Sequence, residues 1–247
     1  MRLRLIFISA LAVCSVTLLY PDVPEVQAVQ RVQQVQRVPV QQIQSVRPIE
    51  SLERFELEAA GGISPDVLNL ALGAVKCATT RGDIAPPPTL TVIDYSLPSV
   101  EPRLWVFDMT RGELLFNELV AHGRNTGGNM SVHFSDRMNS RQSSIGLFVT
   151  ANTYMGSNGY SLRLDGLEPG FNGRARDRAI VMHGAPYVSE EFAAAQGRIG
   201  RSWGCPALRE AVARDVIDTI RGGGVIFSYY PDSNWLESSK FLNGCDA

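Results

Sequence analysis

Apolar positions from Leu90 onward follow the two-residue spacing that is typical of β-strands. The runs are short, and Gly, Pro, Asn or Asp, which favour turns, separates most of them. The predicted strands are Leu90–Tyr95, Leu104–Asp108, Leu114–His122, Gly146–Ala151, Tyr160–Asp165, Arg178–His183 and Val225–Tyr230. The pattern therefore predicts a mainly β body.

Two segments have helical spacing instead. Ser64-Pro65-Asp66 combines a hydroxyl cap, a proline in the first turn and an acid, and the helix that it begins is expected to end by Arg81-Gly82. Apolar residues also recur at helical spacing over 209–220, and the glycines at 222–224 are expected to end that second helix. We therefore expect a few helices beside the strands.

Residues 1–28 have the features of an export signal. Arg2 and Arg4 precede the apolar run Leu5–Tyr20, and Val26-Gln27-Ala28 has the small residues of a cleavage site. The run has 16 residues, whereas a membrane span needs about 20. We predict a signal peptide over 1–28 and no stable membrane span after its removal, with an uncleaved anchor as the alternative.

The chain after the export signal divides into two parts. Gln and Val alternate loosely over 29–47, which is typical of a low-complexity linker, although an amphipathic helix or an edge strand is an alternative. We assign 29–62 to a Gln/Val-rich linker and 63–247 to one folded domain.

Composition supports a globular domain and excludes one class of partner. Of the 247 residues, 45% are apolar and 19% are charged, so a sizeable core can form. Lys and Arg number 23 against 25 Asp and Glu, whereas a nucleic-acid-binding protein has a clustered positive surplus. We therefore expect no nucleic-acid partner.

Two segments carry the candidate chemistry. Ala179–Gly184 is an apolar strand that ends in His183-Gly184, and Gly200–Pro206 contains Cys205 directly after Gly204. That glycine lets backbone and substrate approach closely, and the imidazole or a following helix N-terminus would favour the thiolate and lower the thiol pKa. Spacing alone leaves a buried structural thiol, a disulfide half and a core histidine open as alternatives.

A metal site is a weaker interpretation of the same residues. Its candidate ligands are His122, His183 and Cys205. No two of them lie at the short spacing that is typical of zinc sites. We therefore predict no metal.

The stretch from His183 to Cys205 resembles the signature of L,D-transpeptidases of the YkuD type, in which His-Gly or His-Ser is followed by Ser/Thr-x-Gly-Cys. Ser143–Phe148 is similar to the Thr-Pro-x-Gly-x-Phe strand entry of that family. The closer similarity, over roughly 63–245, is to the murein L,D-transpeptidase catalytic domain branch. Its hallmarks are LTVIDYSLPSVEPRLWVFDM (90–109), LVAHGRNTGG (119–128), SRQSSIGLFVT (140–150), GYSLRLDGLEPGFN (159–172), HGAPYVSEEF (183–192) and GRSWGCPAL (200–208).

This resemblance implies a β-sandwich with a few flanking helices, in agreement with the two-residue spacing. It implies that Cys205 is the nucleophile and that His183 is its general base, held in the right tautomer by a backbone carbonyl, that of Gly184. Backbone N–H groups around Gly204 and Cys205 would form an oxyanion hole.

The chain departs from the wider family where substrate would bind. The family often has His before Gly-Cys and Arg or Asn two residues after the cysteine, and here those positions are Trp203 and Ala207. Arg198, Arg201 or Arg141 would replace the lost side chain. The residues expected to contact substrate or to shape the loop beside the sulfur are Ser202, Trp203, Arg201, His122 and Arg141. For His122, the alternative is a core or surface histidine without a role in substrate binding.

The function implied is that of an exported cysteine acyltransferase of the periplasm or cell envelope. Cys205 would form a thioester with a peptidoglycan stem peptide and pass it to an amine, which cross-links two stems, with no metal or organic cofactor. With water as the acceptor, the same residues would act as an L,D-carboxypeptidase. Because Trp203 and Ala207 depart from the family pattern, a third interpretation stays open: a non-catalytic peptidoglycan-binding envelope protein.

Two further cysteines of the domain, Cys77 and Cys245, remain once Cys205 is assigned to catalysis. Parity in an oxidising compartment suggests that they form a disulfide, which would tie the C-terminus to the first helix. Two unrelated small apolar residues are the alternative.

Overall fold

The computed structural model describes residues 61–245. The predicted signal peptide and nearly all of the predicted linker lie outside the described residues, so both assignments stay predictions. The helices are α1 Pro65–Thr80, α2 Glu190–Gln196, α3 Glu210–Ile220, α4 Ser233–Ser238 and α5 Lys240–Asn243. The strands are β1 Thr89–Asp94, β2 Leu104–Asp108, β3 Glu113–Glu118, β4 Val120–Ala121, β5 Gly146–Gly156, β6 Gly159–Gly166, β7 Val181–Gly184, β8 Ala207–Leu208 and β9 Val225–Tyr229.

These strands form one nine-stranded sheet in the order β3-β2-β1-β9-β5-β6-β7-β8-β4. β1 pairs with β9 and β7 pairs with β8 in parallel, and all other neighbours are antiparallel. The two edge strands, β3 and β4, are separated along the chain only by Leu119. The ends of the sheet therefore approach each other, and the sheet is nearly closed. The predicted mainly β fold with a few flanking helices is confirmed.

The central strands are buried on both faces. Side chains that are neighbours in sequence, such as Val92 and Ile93 or Ile226 and Phe227, enter different apolar clusters, as alternation along a strand requires. One cluster packs α1 and the C-terminal helices against the sheet, and the other packs α3 against the opposite faces of the strands. Two-sided burial explains why these strands are continuous apolar runs in the sequence.

The first helix, α1, has the bounds that its sequence predicts. Pro65 lies in the first turn after the extended backbone of Ser64, although the Ser64 hydroxyl makes no capping hydrogen bond. Neither α1 nor any other helix within 61–245 is long and apolar enough to cross a membrane. The predicted disulfide is present: Cys77 of α1 is bonded to Cys245, with the Cα atoms 5.5 Å apart.

Several local predictions differ from the structure. The strand predicted over Leu114–His122 is two strands, because the chain leaves one edge of the sheet at Leu119 and begins the other edge. The strand predicted over Arg178–His183 begins only at Val181, because 171–179 form turns. β8 was not predicted. The helix predicted over 209–220 is confirmed as α3, with β8 between it and Cys205.

Candidate active site

A parallel crossover brings the two candidate segments together. Parallel strands need a long connection, and the connection over 185–206 carries α2 and the loop with Cys205. His183 pairs with Ala207 across β7 and β8. The same register places Cys205 opposite Val181. Val181 and His183 are two residues apart on β7, which corresponds to about 6.6 Å along the strand. The fold therefore places the cysteine and the histidine on adjacent parallel segments.

Cys205 lies in a closed environment. Only 8% of the residue is exposed, and it is the free cysteine of the described chain. Its sulfur accepts a hydrogen bond from the Val181 N–H at 3.5 Å and donates to the Ala179 carbonyl at 3.7 Å. Ala179 has φ 53°, a left-handed conformation that non-glycine residues rarely adopt. The sulfur is thus held against a strained backbone segment.

Burial raises the pKa of the Cys205 thiol, while the Val181 N–H and the positive charge of Arg178 act in the opposite direction. The expectation of a lowered thiol pKa is therefore wrong for this structure. The strand β8 separates the cysteine from α3. Among the residues described, no hydrogen bond joins the Cys205 sulfur to the ring of His183. The groups that act on the thiol pKa, besides burial itself, are the Val181 N–H and Arg178 rather than the His183 ring.

The His183 ring is oriented by the end of its own strand. Its Nδ1 lies 2.9 Å from the carbonyl oxygen of Gly184. Because a carbonyl only accepts, Nδ1 carries the proton and Nε2 keeps its lone pair. Burial lowers the pKa of His183, and the hydrogen bond to Gly184 opposes that shift. The ring is therefore neutral near pH 7 and has one acceptor nitrogen.

Ser202 and Gly204 build the turn before the cysteine. The buried Ser202 hydroxyl donates to the Cys205 carbonyl at 2.6 Å and accepts from the Gly204 N–H at 3.0 Å. Gly204 has φ 127°, and a Cβ at this position would lie 2.7 Å from the Gln142 carbonyl oxygen. Both the backbone conformation and the close approach therefore require glycine.

A second loop closes one side of this turn through Ser143. The Ser143 hydroxyl accepts a hydrogen bond from the Gly123 N–H at 3.0 Å and donates to the Gly204 carbonyl at 3.3 Å. Gly123 also forms a β-bridge with Ser202. Ser143 thus connects the segment after β4 to the loop of the cysteine.

His122 lies in the interior of the domain. Its side chain is fully buried, with Nδ1 2.8 Å from a guanidinium nitrogen of Arg103 and 3.1 Å from the Ser131 hydroxyl. Burial, and then the charge of Arg103, lowers the pKa of His122 to about 3. The ring packs against Arg103 and Ser131, which agrees with the alternative of a core histidine, and its contact with substrate stays an untested prediction. The backbone of His122 contacts the cysteine's loop: its carbonyl accepts a hydrogen bond from the Ser202 N–H at 2.9 Å.

Trp203 is the exposed part of the cysteine's loop, with 69% of the residue exposed. The guanidinium carbon of Arg141 lies 4.8 Å from its ring centre, which is a cation–π contact. Arg201 donates to the Gly127 carbonyl at 2.7 Å and to the Arg124 carbonyl at 3.1 Å. The structure therefore groups Trp203, Arg141 and Arg201, three of the expected substrate-binding residues, around this loop.

Arg178 was not singled out from the sequence, yet it lies beside this loop. Its side chain is only 3% exposed, and the guanidinium donates to the carbonyls of Ser135 and Gln142, each at 2.6 Å. The available signal was a charged residue at the start of an apolar strand, five positions before His183. Such a residue is rarely buried unless it has partners.

The described part of the chain offers no ready metal site. Within 61–245, no three His, Cys, Asp or Glu side chains are grouped so that they could hold a metal ion. The His122 ring instead contacts Arg103 and Ser131.

Solved structures of several L,D-transpeptidases are similar to this chain. One from Mycobacterium smegmatis is 16% identical, with 58% of this chain and 59% of that chain covered and a TM-score of 0.36. L,D-transpeptidase 1 of Mycobacterium tuberculosis is 16% identical, with 58% and 62% covered and a TM-score of 0.32. One from Stackebrandtia nassauensis is 15% identical, with 69% and 73% covered and a TM-score of 0.36. This chain thus spans less than two thirds of the two mycobacterial proteins.

No curated protein matches the chain. The family model described as the L,D-transpeptidase catalytic domain matches residues 59–229. This range is more than half of the chain, and it includes His183, Cys205 and the loop that joins their strands. The chain belongs to the L,D-transpeptidase catalytic domain family.

Proposed function

We propose that this chain is a cysteine acyltransferase that acts on the stem peptides of peptidoglycan. The proposal depends on one observation: the free cysteine of the described chain, Cys205, lies in the family-matched region on a segment adjacent to the strand of His183. The neutral His183 ring, with its Nε2 unprotonated, suits a general base.

Activation of Cys205 is the first step of the proposed mechanism. His183 would take the thiol proton at Nε2, which leaves a thiolate beside an imidazolium. The two groups share no hydrogen bond within the described residues, so the mechanism requires the substrate-bound loop to bring them into reach. Catalytic hydrogen bonds often tighten only when substrate binds.

Attack by the thiolate on the stem peptide forms the acyl-enzyme. The target is the carbonyl of the bond between the third stem residue and the following D-residue. The resemblance implies an oxyanion hole of backbone N–H groups around Gly204 and Cys205, and of these the Gly204 N–H already donates to the Ser202 hydroxyl. The Cys205 N–H is therefore the proposed backbone donor, and one such donor contributes about 10²–10³ in rate. His183 then protonates the leaving D-amino acid.

The acceptor decides the product. An amine of a neighbouring stem would attack the thioester, give its proton to His183 and release Cys205, which leaves two stems cross-linked. Water would instead release a shortened stem, as an L,D-carboxypeptidase does.

We propose that Trp203, Arg141 and Arg201 bind the stem peptide. The exposed aromatic face and the guanidinium groups suit a peptide that carries carboxylates. Trp203→Ala is expected to weaken stem-peptide binding several-fold without loss of stability, measured by titration and by thermal unfolding. Met155→Ala is the matched control, because Met155 is 73% exposed and lies on β5.

The deciding experiment is intact-mass analysis of the protein with a stem tetrapeptide, followed by analysis of the peptide products. We expect an adduct equal to the stem minus its terminal D-residue, located on Cys205, and no adduct on Cys205→Ala. Turnover by Cys205→Ala would contradict the mechanism. Binding without an adduct would support the non-catalytic envelope protein, which the closed position of the sulfur favours. Cross-linked dimers or trimmed monomers identify the acceptor.

We also propose that the chain is exported to the periplasm or cell envelope by residues 1–28. The features of an export signal in that segment support this. N-terminal sequencing of the protein from fractionated cells should find Val29 as the first residue, whereas an intact Met1 would indicate an uncleaved anchor.

A further inference from the structure

The buried guanidinium of Arg178 is hydrogen-bonded to the segment over 135–144 and lies beside the turn that contains Gly204. One of its nitrogens donates to the Ser135 carbonyl at 2.6 Å and the Ser144 hydroxyl at 2.5 Å. The other donates to the Gln142 carbonyl at 2.6 Å and the Ser140 hydroxyl at 3.1 Å. All four acceptors lie in the segment over 135–144, so this one side chain fixes the shape of that segment.

The same guanidinium lies directly against the turn of the cysteine. One of its nitrogens is 3.5 Å from the position that a Cβ on Gly204 would occupy. Immediately after Arg178, the Ala179 carbonyl and the Val181 N–H make the two polar contacts of the Cys205 sulfur. The segment 178–181 therefore supplies both a positive charge and the hydrogen-bonding groups beside the nucleophile's loop.

The charge of Arg178 faces one carboxylate at long ion-pair distance. Its one ion pair in the described chain is to Asp136 at 3.9 Å. Both carboxylate oxygens of Asp136 already accept from the Arg174 N–H, at 3.0 and 3.1 Å. A buried cation with a distant counterion exerts a strong field on its other neighbours. The turn over 204–205 is such a neighbour.

We propose that Arg178 is a positioning residue that stabilises the thiolate of Cys205 and holds the 135–144 segment against the nucleophile's turn. A buried thiolate needs a nearby positive charge, because burial alone favours the neutral thiol. Before any proton transfer the His183 ring is neutral and, within the described residues, shares no hydrogen bond with the sulfur, so in that state the positive charge beside the thiol is that of Arg178. The proposal rests on the proposed function only in taking Cys205 as the nucleophile.

The electrostatics of the two groups agree with this assignment. Burial raises the pKa of the Cys205 thiol, and the charge of Arg178 opposes that rise. Burial likewise lowers the pKa of Arg178, and the negative charges of Asp136 and Cys205 oppose that change. Removal of the guanidinium should therefore leave the thiol harder to ionise.

The test is the pH dependence of Cys205 alkylation by iodoacetamide, followed by mass spectrometry on the peptide that carries this residue. In Arg178→Met the midpoint is expected to rise by about one pH unit or more, since an adjacent opposite charge shifts a pKa by about one to three units. Arg178→Lys keeps the charge, so its midpoint should stay closer to that of the unsubstituted protein. Arg176→Met is the matched control, because Arg176 pairs with Asp165 at the exposed surface, and its midpoint should not move.

Two outcomes would overturn the inference. One is a folded Arg178→Met protein whose midpoint is unchanged, which would assign Arg178 to loop structure alone. If Arg178→Met does not fold, Arg178→Lys decides: a midpoint raised by one unit or more would contradict a role for the charge. Alkylation uses no peptide substrate, so failure of acyl transfer with a shifted midpoint would refute the proposed function and leave this inference standing.

Discussion

The hydroxyl oxygen of Ser202 lies 2.6 Å from the carbonyl oxygen of Cys205, and only 5% of Ser202 is exposed. The same oxygen accepts the N–H of Gly204. One small side chain therefore satisfies two backbone groups in the turn that presents the sulfur, and it fixes the direction of the Cys205 backbone.

Ser202→Ala is expected to destabilise the protein by about 1–3 kcal/mol, because buried backbone groups lose their partner. Cys205 alkylation should also become faster, since the turn would no longer hold the sulfur in its closed position. Denaturant unfolding and iodoacetamide labelling measure the two effects. Ser239→Ala is the control: Ser239 is equally buried and bonded to Glu168, so stability should fall while labelling stays unchanged. Equal labelling of Ser202→Ala and the unsubstituted protein would contradict this role.

Gly204→Ala is expected to damage both fold and reactivity. The substitution adds a Cβ 2.7 Å from the Gln142 carbonyl oxygen, at φ 127°, so the loss should exceed the roughly 1–3 kcal/mol of a disfavoured backbone conformation. Gly222→Ala separates the cost of the backbone conformation from the cost of the close approach, because Gly222 has φ 77° and no atom within 4 Å of an added Cβ. That control should lose only about 1–2 kcal/mol. Thermal unfolding of both variants makes the comparison, and equal losses would show that the close approach contributes nothing.

The buried His122 predicts a loss of stability in acid. Its pKa is about 3 in the folded protein and about 6.5 when unfolded. Between these values the unfolded chain binds the extra proton, so stability is complete above pH 6.5 and falls as the pH drops towards 3.

His122→Asn should flatten this acid dependence. Asn offers an oxygen near the Nδ1 position, so Arg103 keeps an acceptor, but the side chain cannot take up a proton. The measurement is the free energy of unfolding between pH 7 and 4. His133→Asn, at an exposed position, is the matched control for the same substitution outside the core. Parallel curves for His122→Asn and the unsubstituted protein would show that His122 does not titrate on unfolding.

The bridge between Cys77 and Cys245 closes a loop with a sequence separation of 168. Its removal is expected to cost about 2–5 kcal/mol, since the unfolded chain gains freedom. Cys245→Ser is the suitable variant because position 245 is exposed, so the core around Cys77 keeps its packing. Denaturant midpoints with and without dithiothreitol should differ for the unsubstituted protein and coincide for the variant. A reductant-insensitive unsubstituted protein would mean that the bridge does not form in solution.

The strand pattern and the two longest helices were predictable because burial leaves a regular apolar spacing in the sequence. β8 was not, since the two residues Ala207 and Leu208 are too few to show a period. The identity of the candidate catalytic residues was predictable from the sequence, but the surroundings of their side chains were not. Gly204 and Cys205 stand together in the sequence, whereas the closed position of the sulfur depends on a backbone segment near Ala179 that only the crossover brings close.

The sequence left the position of His122 open between substrate and core for a similar reason. An apolar run that ends in histidine has the same appearance whether the ring faces substrate or core. Its partner Arg103 lies 19 positions away, and the pairing of β2 with β3 brings the two segments together. Charged residues that are buried by tertiary contact, such as Arg103 and Arg178, leave no periodic trace in a single sequence.

The shortness of β4 and β8 makes one corner of the molecule the easiest to open. β5 and β6 share a long ladder, whereas each of the two short strands has only two residues to pair. Local fluctuations concentrate where few backbone bonds must break. The nucleophile lies next to that corner, so opening of the two short strands would expose its sulfur at the cost of the apolar contacts that Val120 and Leu208 make. Access to the thiol is then expected to follow the local stability of this corner, its backbone pairing and its apolar contacts together.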